Sequence, residues 1–281
     1  MSANQATYPV RLMCRVLQVS HSGYYSWRKR RPSKRAEQDV RLRTLIQSIH
    51  QRSRCSYGSP RIRKELADEH RCCVGRKRVA RLMREAGLKG VMRARYVVTT
   101  CSDALAQRVP DQVQRRFVAS GADRLWVADF TYVSTAMGFL YLAIVMDVYC
   151  RRIVGWSMRE DMSAALVSDA LEMALLHRKP KAVIHHSDHG TQYTCDSFAA
   201  LCERSGVSLS MGSIGDAYDN AMAESFFATI KTELIHQQRF QSFEEARAAI
   251  FEYIEGWYNP HRRHSALGHL SPINYERRMA A

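Results

Sequence analysis

The chain contains 281 residues, of which 46% are hydrophobic and 25% are charged, a composition typical of a folded globular protein and not of a disordered one. It has no run of 18 apolar residues, which excludes a membrane-spanning helix, and its N-terminus lacks the apolar segment of an export signal. Eight cysteines in a chain without such a signal favour reduced thiols over a disulfide framework.

Positive charge is concentrated in the first part of the chain. The 42 Lys and Arg residues outnumber the 27 Asp and Glu residues, for a net charge of +15. Residues 1–120 hold 27 basic and 8 acidic side chains, whereas residues 121–281 hold 15 and 19. Because Lys and Arg release counterions when they contact phosphates, this asymmetry indicates a nucleic-acid partner. A merely soluble basic protein is the simpler alternative.

Residues 1–35 are predicted to form a short segment that resembles a helix-turn-helix. Two helical patterns, TYPVRLMCRVLQV and SHSGYYSWRKRR, are separated by a polar turn. The basic run Arg28–Arg31 at its end could meet phosphates. The alternative is an ordinary helical hairpin with a solvated basic end.

Residues 36–95 are predicted to form a second, basic helical domain with three helices. The first spans Val40–His50, and the second begins near Pro60, with Ser59 as its N-cap. The third, VGRKRVARLMREAGL, ends at Gly87. The basic side chains of the last two helices are candidate DNA contacts, with a solvated basic face as the alternative: Arg61, Arg76, Lys77, Arg78 and Arg81.

After a linker at 96–122, residues 123–240 alternate strands and helices. LWVADFTYV, FLYLAIVMDVY and RRIVGWSM predict an antiparallel meander. A helix, the strand AVIHHSD, a second helix, the strand VSLSM and the helix AMAESFFATIKTELI follow. The order βββαβαβα indicates one mixed sheet with helices on its faces. Residues 241–281 add one more helix, with a Ser242–Glu245 capping box, and a basic tail that looks irregular.

Three carboxylates stand out within this alternating region. Asp129 lies inside the first apolar strand, Asp188 at the end of the fourth, and Glu224 near the start of the last helix. A charge in a core strand is costly unless it is paired, protonated or bound to a metal, and strand ends face the ligand crevice of α/β sheets. Oxygen ligands suit Mg²⁺ or Mn²⁺, and a pair of such ions could activate a water or a 3′-hydroxyl. Between Asp188 and Glu224 lie 35 residues, and Lys231 follows two helical turns later on the same face.

Five strings in this region resemble one protein family. LWVADFTYV, YLAIVMDVYCRRIVGW, HHSDHGTQY, YDNAMAESFFATIKTEL and YNPHRRHSALGHLSPINY are similar to OrfB-type transposases of the IS-three insertion-sequence family, which are DDE recombinases with a core like that of retroviral integrases. YGSPRIRKEL followed by RVARLMREAGL resembles the helical segment ahead of that core. The resemblance covers residues 10–276.

The resemblance implies an α/β fold class, in which an RNase H-like mixed-sheet core follows an all-helical, helix-turn-helix-type DNA-binding region. It implies Asp129, Asp188 and Glu224 as the catalytic triad, holding two Mg²⁺ ions with Mn²⁺ as a substitute. The implied activity is cleavage at insertion-sequence ends and strand transfer of the 3′-hydroxyl into DNA. The implied partners are element-end and target DNA, further copies of the chain on DNA, and an upstream OrfA-type protein or fusion, since no long heptad run is present. We expect a bacterial cytoplasmic, nucleoid-associated protein without a membrane partner.

Seven residues outside the helical domain are predicted DNA contacts. They precede Glu224, follow Asp188 or Glu224, or lie in the tail: Tyr218, Asn220, Gln192, Tyr193, Lys231, Arg262 and Arg263. The alternatives are a surface ion pair for Lys231, a helix N-cap for Asn220 and a solvated loop for the two arginines.

Other site types and functions are less well supported. The chain has no Walker A or GxGxxG string, so no nucleotide cofactor is expected. Adjacent Cys72 and Cys73 lack the paired spacing of a zinc site, so we interpret them as buried thiols and expect no zinc. A non-catalytic DNA-binding regulatory subunit and an RNase H-like nuclease without joining activity are the alternatives. All three carboxylates are present, which favours the enzyme, and the basic helical front speaks against a simple nuclease.

Overall fold

The computed structural model describes residues 1–91, 110–113, 116–212 and 221–280. Its helical part contains α1 (Val10–Val16), α2 (His21–Lys29), α3 (Lys34–Arg52), α4 (Ser59–Asp68) and α5 (Arg76–Glu85). Its sheet part contains β1 (Leu125–Thr135), β2 (Gly138–Asp147), β3 (Ile153–Arg159), α6 (Ala164–Arg178), β4 (Val183–Ser187), α7 (Thr191–Thr194), α8 (Asp196–Arg204), β5 (Val207–Met211) and α9 (Ala221–Glu233). The C-terminal part contains α10 (Phe243–Phe251), a π-helix (Glu252–Tyr258) and α11 (Pro272–Ala280). No helix within these described ranges is both long and apolar enough to cross a membrane.

Helices α1 and α2 are joined by the predicted polar turn. Gln18 occupies the left-handed backbone region, with a φ of 53°, and the Ser20 hydroxyl caps α2 by accepting the Gly23 amide at 2.9 Å. A Cβ on Gly23 would lie 2.4 Å from that hydroxyl oxygen, so a larger residue at this position would require the Ser20 side chain to shift.

Helices α3, α4 and α5 surround one small apolar core, whose buried members include Ile46, Ile62 and Leu82. The N-cap of α4 is Gly58, so the prediction of Ser59 as the cap is wrong by one residue. The helix begins earlier because the Gly58 carbonyl accepts the Ile62 amide at 3.1 Å, which leaves the proline, with no N–H to satisfy, inside the first turn.

The five strands form one mixed sheet in the order β3-β2-β1-β4-β5. Strands β1, β2 and β3 are antiparallel, as predicted for the meander, and β4 and β5 are parallel to β1. One face packs against α6 and α8, and the other packs against α9, α10 and the π-helix. The central strand β1 is therefore covered on both faces, which explains its apolar sequence.

The last segment contains more regular structure than its sequence predicts. In place of an irregular tail, α11 spans Pro272–Ala280. Its start is favourable because proline fits the first turn of a helix, and Glu276 on this helix pairs with Arg152 and Arg178. These partners lie about 100 residues or more away in sequence and are invisible to a local pattern.

Candidate active site

Asp129 and Asp188 lie side by side on the neighbouring inner strands β1 and β4, just past the carboxyl end of β4. The parallel pairing of β1 with β4 ends at Val127 and His186, so Asp129 and Asp188 each stand two residues beyond the last pair that joins these two strands. Side chains alternate between faces along a strand, and Asp129 shares the face of Val127 and Val133, which α9 covers. The fold thus directs the Asp129 side chain toward the helix that carries Glu224.

Local hydrogen bonds orient the two aspartates. The Asp129 Oδ1 atom accepts the Phe130 backbone amide at 2.8 Å, and the Asp188 Oδ1 atom accepts the Gly190 amide at 3.1 Å. A Cβ on Gly190 would lie 3.1 Å from that same Asp188 oxygen. The turn after β4 therefore holds the Asp188 carboxylate against the Gly190 backbone, where any side chain at position 190 would crowd it.

Glu224 and Lys231 lie on α9. Glu224 is an exposed residue of the first turn. The Lys231 ammonium lies 5.4 Å from the centre of the Tyr132 ring, a cation–π distance, and the charge of Asp129 also acts on it. Within the described residues, Lys231 thus faces β1 and Asp129, and no surface ion pair engages it.

The electrostatics favour a cation at this site. Burial, and then the charge of Asp188, raises the pKa of Asp129 well above its usual range, and the charge of Glu224 adds to the shift. Burial also raises the pKa of Asp188 and that of Glu224. Three carboxyl groups whose surroundings disfavour ionisation, all of them hard oxygen donors, fit a divalent cation, because its charge would stabilise their ionised forms.

The three groups are not drawn together into a closed ligand set. Among the described residues, no three His, Cys, Asp or Glu side chains form a cluster that could hold a metal ion. The donor chemistry of the three carboxylates therefore fits a cation, but Glu224 does not join the two aspartates in one cluster in this structure.

The predicted contacts Tyr218 and Asn220, in the segment just before α9, lie outside the described residues.

Gln192 and Tyr193 lie beneath the surface. Only 8% of Gln192 and 1% of Tyr193 is exposed, and the Gln192 amide donates to the Met162 carbonyl at 3.0 Å. Burial and the charges of Asp129 and Asp188 raise the pKa of Tyr193 well above its usual range. The structure thus departs from the expectation that these residues line a DNA groove, because α7 packs against α6 and α8 and both side chains are buried there.

The basic residues of α5 divide into two groups. Arg76 and Lys77 are exposed at its start. Arg78 and Arg81 instead pair with Asp39 of α3, and their hydrogen bonds lower the pKa of that carboxyl. Only the first group is presented to solvent without a partner among the described residues.

Arg61, a predicted DNA contact, is directed inward. Its guanidinium lies over the Tyr57 ring at 5.3 Å, and its Nη1 atom is 3.9 Å from the Glu233 Oε1 atom. Burial and the nearby charge of Arg262 lower the pKa of Arg61. The structure gives this arginine a role in packing between the helical part and α9.

Arg262 and Arg263 do not form the basic surface patch that the sequence suggests. Arg262 is 3% exposed, and its Nε and Nη2 atoms donate to Glu233 over 2.7–3.1 Å. Arg263 pairs with Glu65 and Asp68 of α4. Both guanidinium groups are engaged by carboxylates from distant parts of the chain, so the structure does not present them to phosphates.

The structure corrects the prediction for one cysteine and shows a buried glutamate that the sequence does not indicate. Cys72 is partly buried and Cys73 is exposed, so the prediction of two buried thiols is wrong for Cys73.

Glu233 is a buried carboxylate that no sequence motif singles out. Its only signal is position, since it continues the stripe of Phe226 and Ile230 at helical spacing on α9.

Comparisons with known proteins give a consistent picture. An HTH-like domain model matches residues 37–96, and two integrase core domain models match residues 119–217 and 205–272. The chain is 43% identical to the IS600 uncharacterized 31 kDa protein of Shigella sonnei, over 94% of this chain and 97% of that one. It is 40% identical to the Shigella sonnei transposase for IS629, over 96% and 92%. It is 39% identical to transposase InsF of IS3A from Escherichia coli K12, over 99% and 97%.

Solved structures also resemble the chain, at lower similarity. The catalytic core of BIV integrase matches 56% of this chain and 96% of its own, at 16% identity and a TM-score of 0.43. The HTLV-2 integrase core in complex with magnesium matches 56% and 98%, at 14% identity and a TM-score of 0.42. The family assignment rests on the relatives and the family models. The chain belongs to the IS3 family of DDE-type DNA transposases, with an RNase H-like integrase core behind an HTH-like helical domain.

Proposed function

We propose that this transposase cleaves DNA at insertion-sequence ends and joins the resulting 3′-hydroxyl to DNA, with Asp129, Asp188 and Glu224 as its catalytic, metal-binding residues. One observation carries the proposal. Asp129 and Asp188 stand at matching positions, two residues beyond the last pair that joins the parallel strands β1 and β4, and the charge of Glu224 acts on the same Asp129 carboxyl.

The carboxylates of the triad would hold Mg²⁺, or Mn²⁺ in its place, as two ions. When bound, these ions supply Lewis-acid activation of the attacking oxygen and stabilisation of the leaving oxygen. The protein's own part is orientation. The Phe130 and Gly190 amides fix the Asp129 and Asp188 carboxylates, and α9 holds Glu224 where its charge acts on Asp129.

DNA binding is shared between the two domains in this proposal. Arg76 and Lys77 are exposed at the start of α5, where they can meet the phosphate backbone. Lys231, on the same face of α9 as Glu224, would contact a phosphate near the reacting bond, and Tyr218 and Asn220 remain candidates for contact with terminal DNA. We also propose an oligomer on DNA and an OrfA-type partner, since two element ends must be brought together in the bacterial nucleoid.

A strand-transfer assay with the Asp188→Asn variant tests the proposal. The assay contains the full chain, the upstream partner or fused form, Mg²⁺ and DNA with the flanking element ends. We expect joined product to fall by about 10³-fold, since metal stabilisation of the transition state amounts to several kcal/mol, while DNA binding survives. Asp196→Asn, on an exposed aspartate of α8, is the matched control and should join DNA normally.

Three results would contradict the proposal. Equal loss of DNA binding in Asp188→Asn would mean that the residue is structural. Full activity of that variant would remove Asp188 from the catalytic set. Cut ends that the wild-type protein releases and never joins would identify a nuclease.

A further inference from the structure

The far end of helix α9 is held by a buried carboxylate. Glu233 is 9% exposed and receives hydrogen bonds from two other segments. Arg262 donates from two nitrogen atoms over 2.7–3.1 Å, and the Tyr253 hydroxyl of the π-helix donates at 2.8 Å. Burial alone would raise the pKa of Glu233, but Arg262 and Tyr253, with Arg61, outweigh it and lower that pKa.

The helical domain supplies the third group at this carboxylate. The Arg61 Nη1 atom, on α4, lies 3.9 Å from the Glu233 Oε1 atom. Its position is supported from behind by Tyr57, whose ring lies 5.3 Å from the guanidinium. The Tyr57 hydroxyl in turn accepts the Arg263 amide at 2.8 Å and donates to the His261 carbonyl at 3.3 Å. The HTH-like domain is therefore tied to the same carboxylate as the C-terminal segment.

The geometry of α9 makes this contact relevant to Glu224. Glu233 follows Glu224 by nine residues, about two and a half turns of helix, so the two side chains lie on opposite faces at opposite ends. A group held at one end and on the back face fixes the rotation of the helix about its axis. That rotation decides where Glu224 and Lys231 point relative to Asp129.

We propose that Glu233 is a positioning residue for the catalytic glutamate, and that the helical domain takes part in this positioning through Arg61. The DNA-binding domain and the helix that carries Glu224 then behave as one mechanical unit. The inference rests on the proposed catalytic role of Glu224, although the mechanical link can be measured without it.

Arg61→Gln in the full chain is the direct test, read out by backbone amide hydrogen exchange over α9, residues 221–233. Removal of one partly buried charged contact is worth about fivefold in an opening equilibrium, so we expect exchange of α9 to accelerate by about that factor. The joining rate at saturating DNA should fall, while DNA affinity stays unchanged. Arg61→Lys, which keeps the charge, should restore part of both the protection and the rate.

The chain offers a matched control. Arg43→Gln removes the pair of Arg43 with Glu85, which lies within the helical part and involves neither Glu233 nor the groups that hold it. This variant should leave α9 exchange and joining at their wild-type values. Glu233→Gln should show a larger acceleration of exchange than Arg61→Gln, because it weakens all three contacts.

The possible results separate the two proposals. Unchanged α9 exchange in both Arg61→Gln and Glu233→Gln would overturn the positioning role. A fall in joining that only follows a fall in DNA affinity would overturn it as well, and would return Arg61 to the DNA surface. If Glu224→Gln joins DNA normally, the proposed catalytic role fails, whereas faster α9 exchange in Arg61→Gln would still establish the link between the domains.

Discussion

Helix α5 and the segment before α11 each carry consecutive basic residues, RKR at 76–78 and RR at 262–263, and their surroundings differ. The first two residues of α5 are exposed, whereas Arg262 is buried against Glu233 and Arg263 pairs with two acids of α4. The deciding carboxylates are remote: Glu233 lies 29 residues before Arg262, and Glu65 lies 198 before Arg263. The density of basic residues therefore predicts charge, while its use on DNA or inside the protein depends on tertiary partners.

Arg262→Ala should produce the largest difference between the two segments. It leaves Glu233 buried without its main partner, and breaking a buried pair in this way costs about 3–5 kcal/mol of unfolding free energy. Arg76→Ala, on the exposed side of the comparison, should stay within about 0.5 kcal/mol of wild type. Urea unfolding measures both, and a decrease below about 1 kcal/mol in Arg262→Ala would show that the tail pair is not stabilising.

Acid should weaken the buried pair in a second way. The folded-state pKa of Glu233 is lowered from its ordinary value of 4.5, so its contribution is fully present above that pH and disappears as the pH falls through the lower folded value. We expect the stability difference between wild type and Glu233→Gln, of about 1.5–3 kcal/mol at neutral pH, to shrink in acid. A difference that is constant with pH would contradict an ionised Glu233 in the folded protein.

The exposed segment should respond through DNA and not through stability. Arg76→Gln combined with Lys77→Gln should weaken DNA binding, and the log–log salt slope should become shallower by about 0.9 for each phosphate that is no longer neutralised. Filter binding over a salt series measures the slope. Arg204→Gln, on α8 and paired with Glu172, is the control in the other domain and should keep the wild-type slope.

Much of the sheet and two members of the site could be predicted because their signals are local. An acidic residue within the apolar string WVADFTYV is unusual, and so is another directly after AVIHHS. Each indicates a functional carboxylate in or just after a strand. The meander follows from three apolar runs with short turns between them. These features depend on neighbours in sequence, so the pattern contains them.

The parts that could not be predicted depend on distant contacts. Helix α11 is secured by Arg152 and Arg178, neither of which is near it in sequence. Gln192 and Tyr193 follow Asp188 closely, which suggests a place in a groove, yet both are buried in α7, which packs against α6 and α8. Arg61 has no feature in its own sequence pattern that distinguishes it from an exposed arginine, and its inward direction depends on contacts with Tyr57 and the remote Glu233.

The π-helix has a consequence for how the length of the chain can change. Its hydrogen bonds join amides to carbonyls five residues back, as from Asn259 to Ile254 at 3.0 Å, so each hydrogen-bonded ring encloses one more residue than in the α-helix before it. From this segment, the Tyr253 hydroxyl donates to Glu233 of α9, and the Trp257 ring packs at a tilt against the Tyr57 ring of the helical domain, with 5.7 Å between the ring centres. Deleting one residue here would rotate one of these side chains away from its partner, so the segment should accept substitutions far more readily than insertions or deletions.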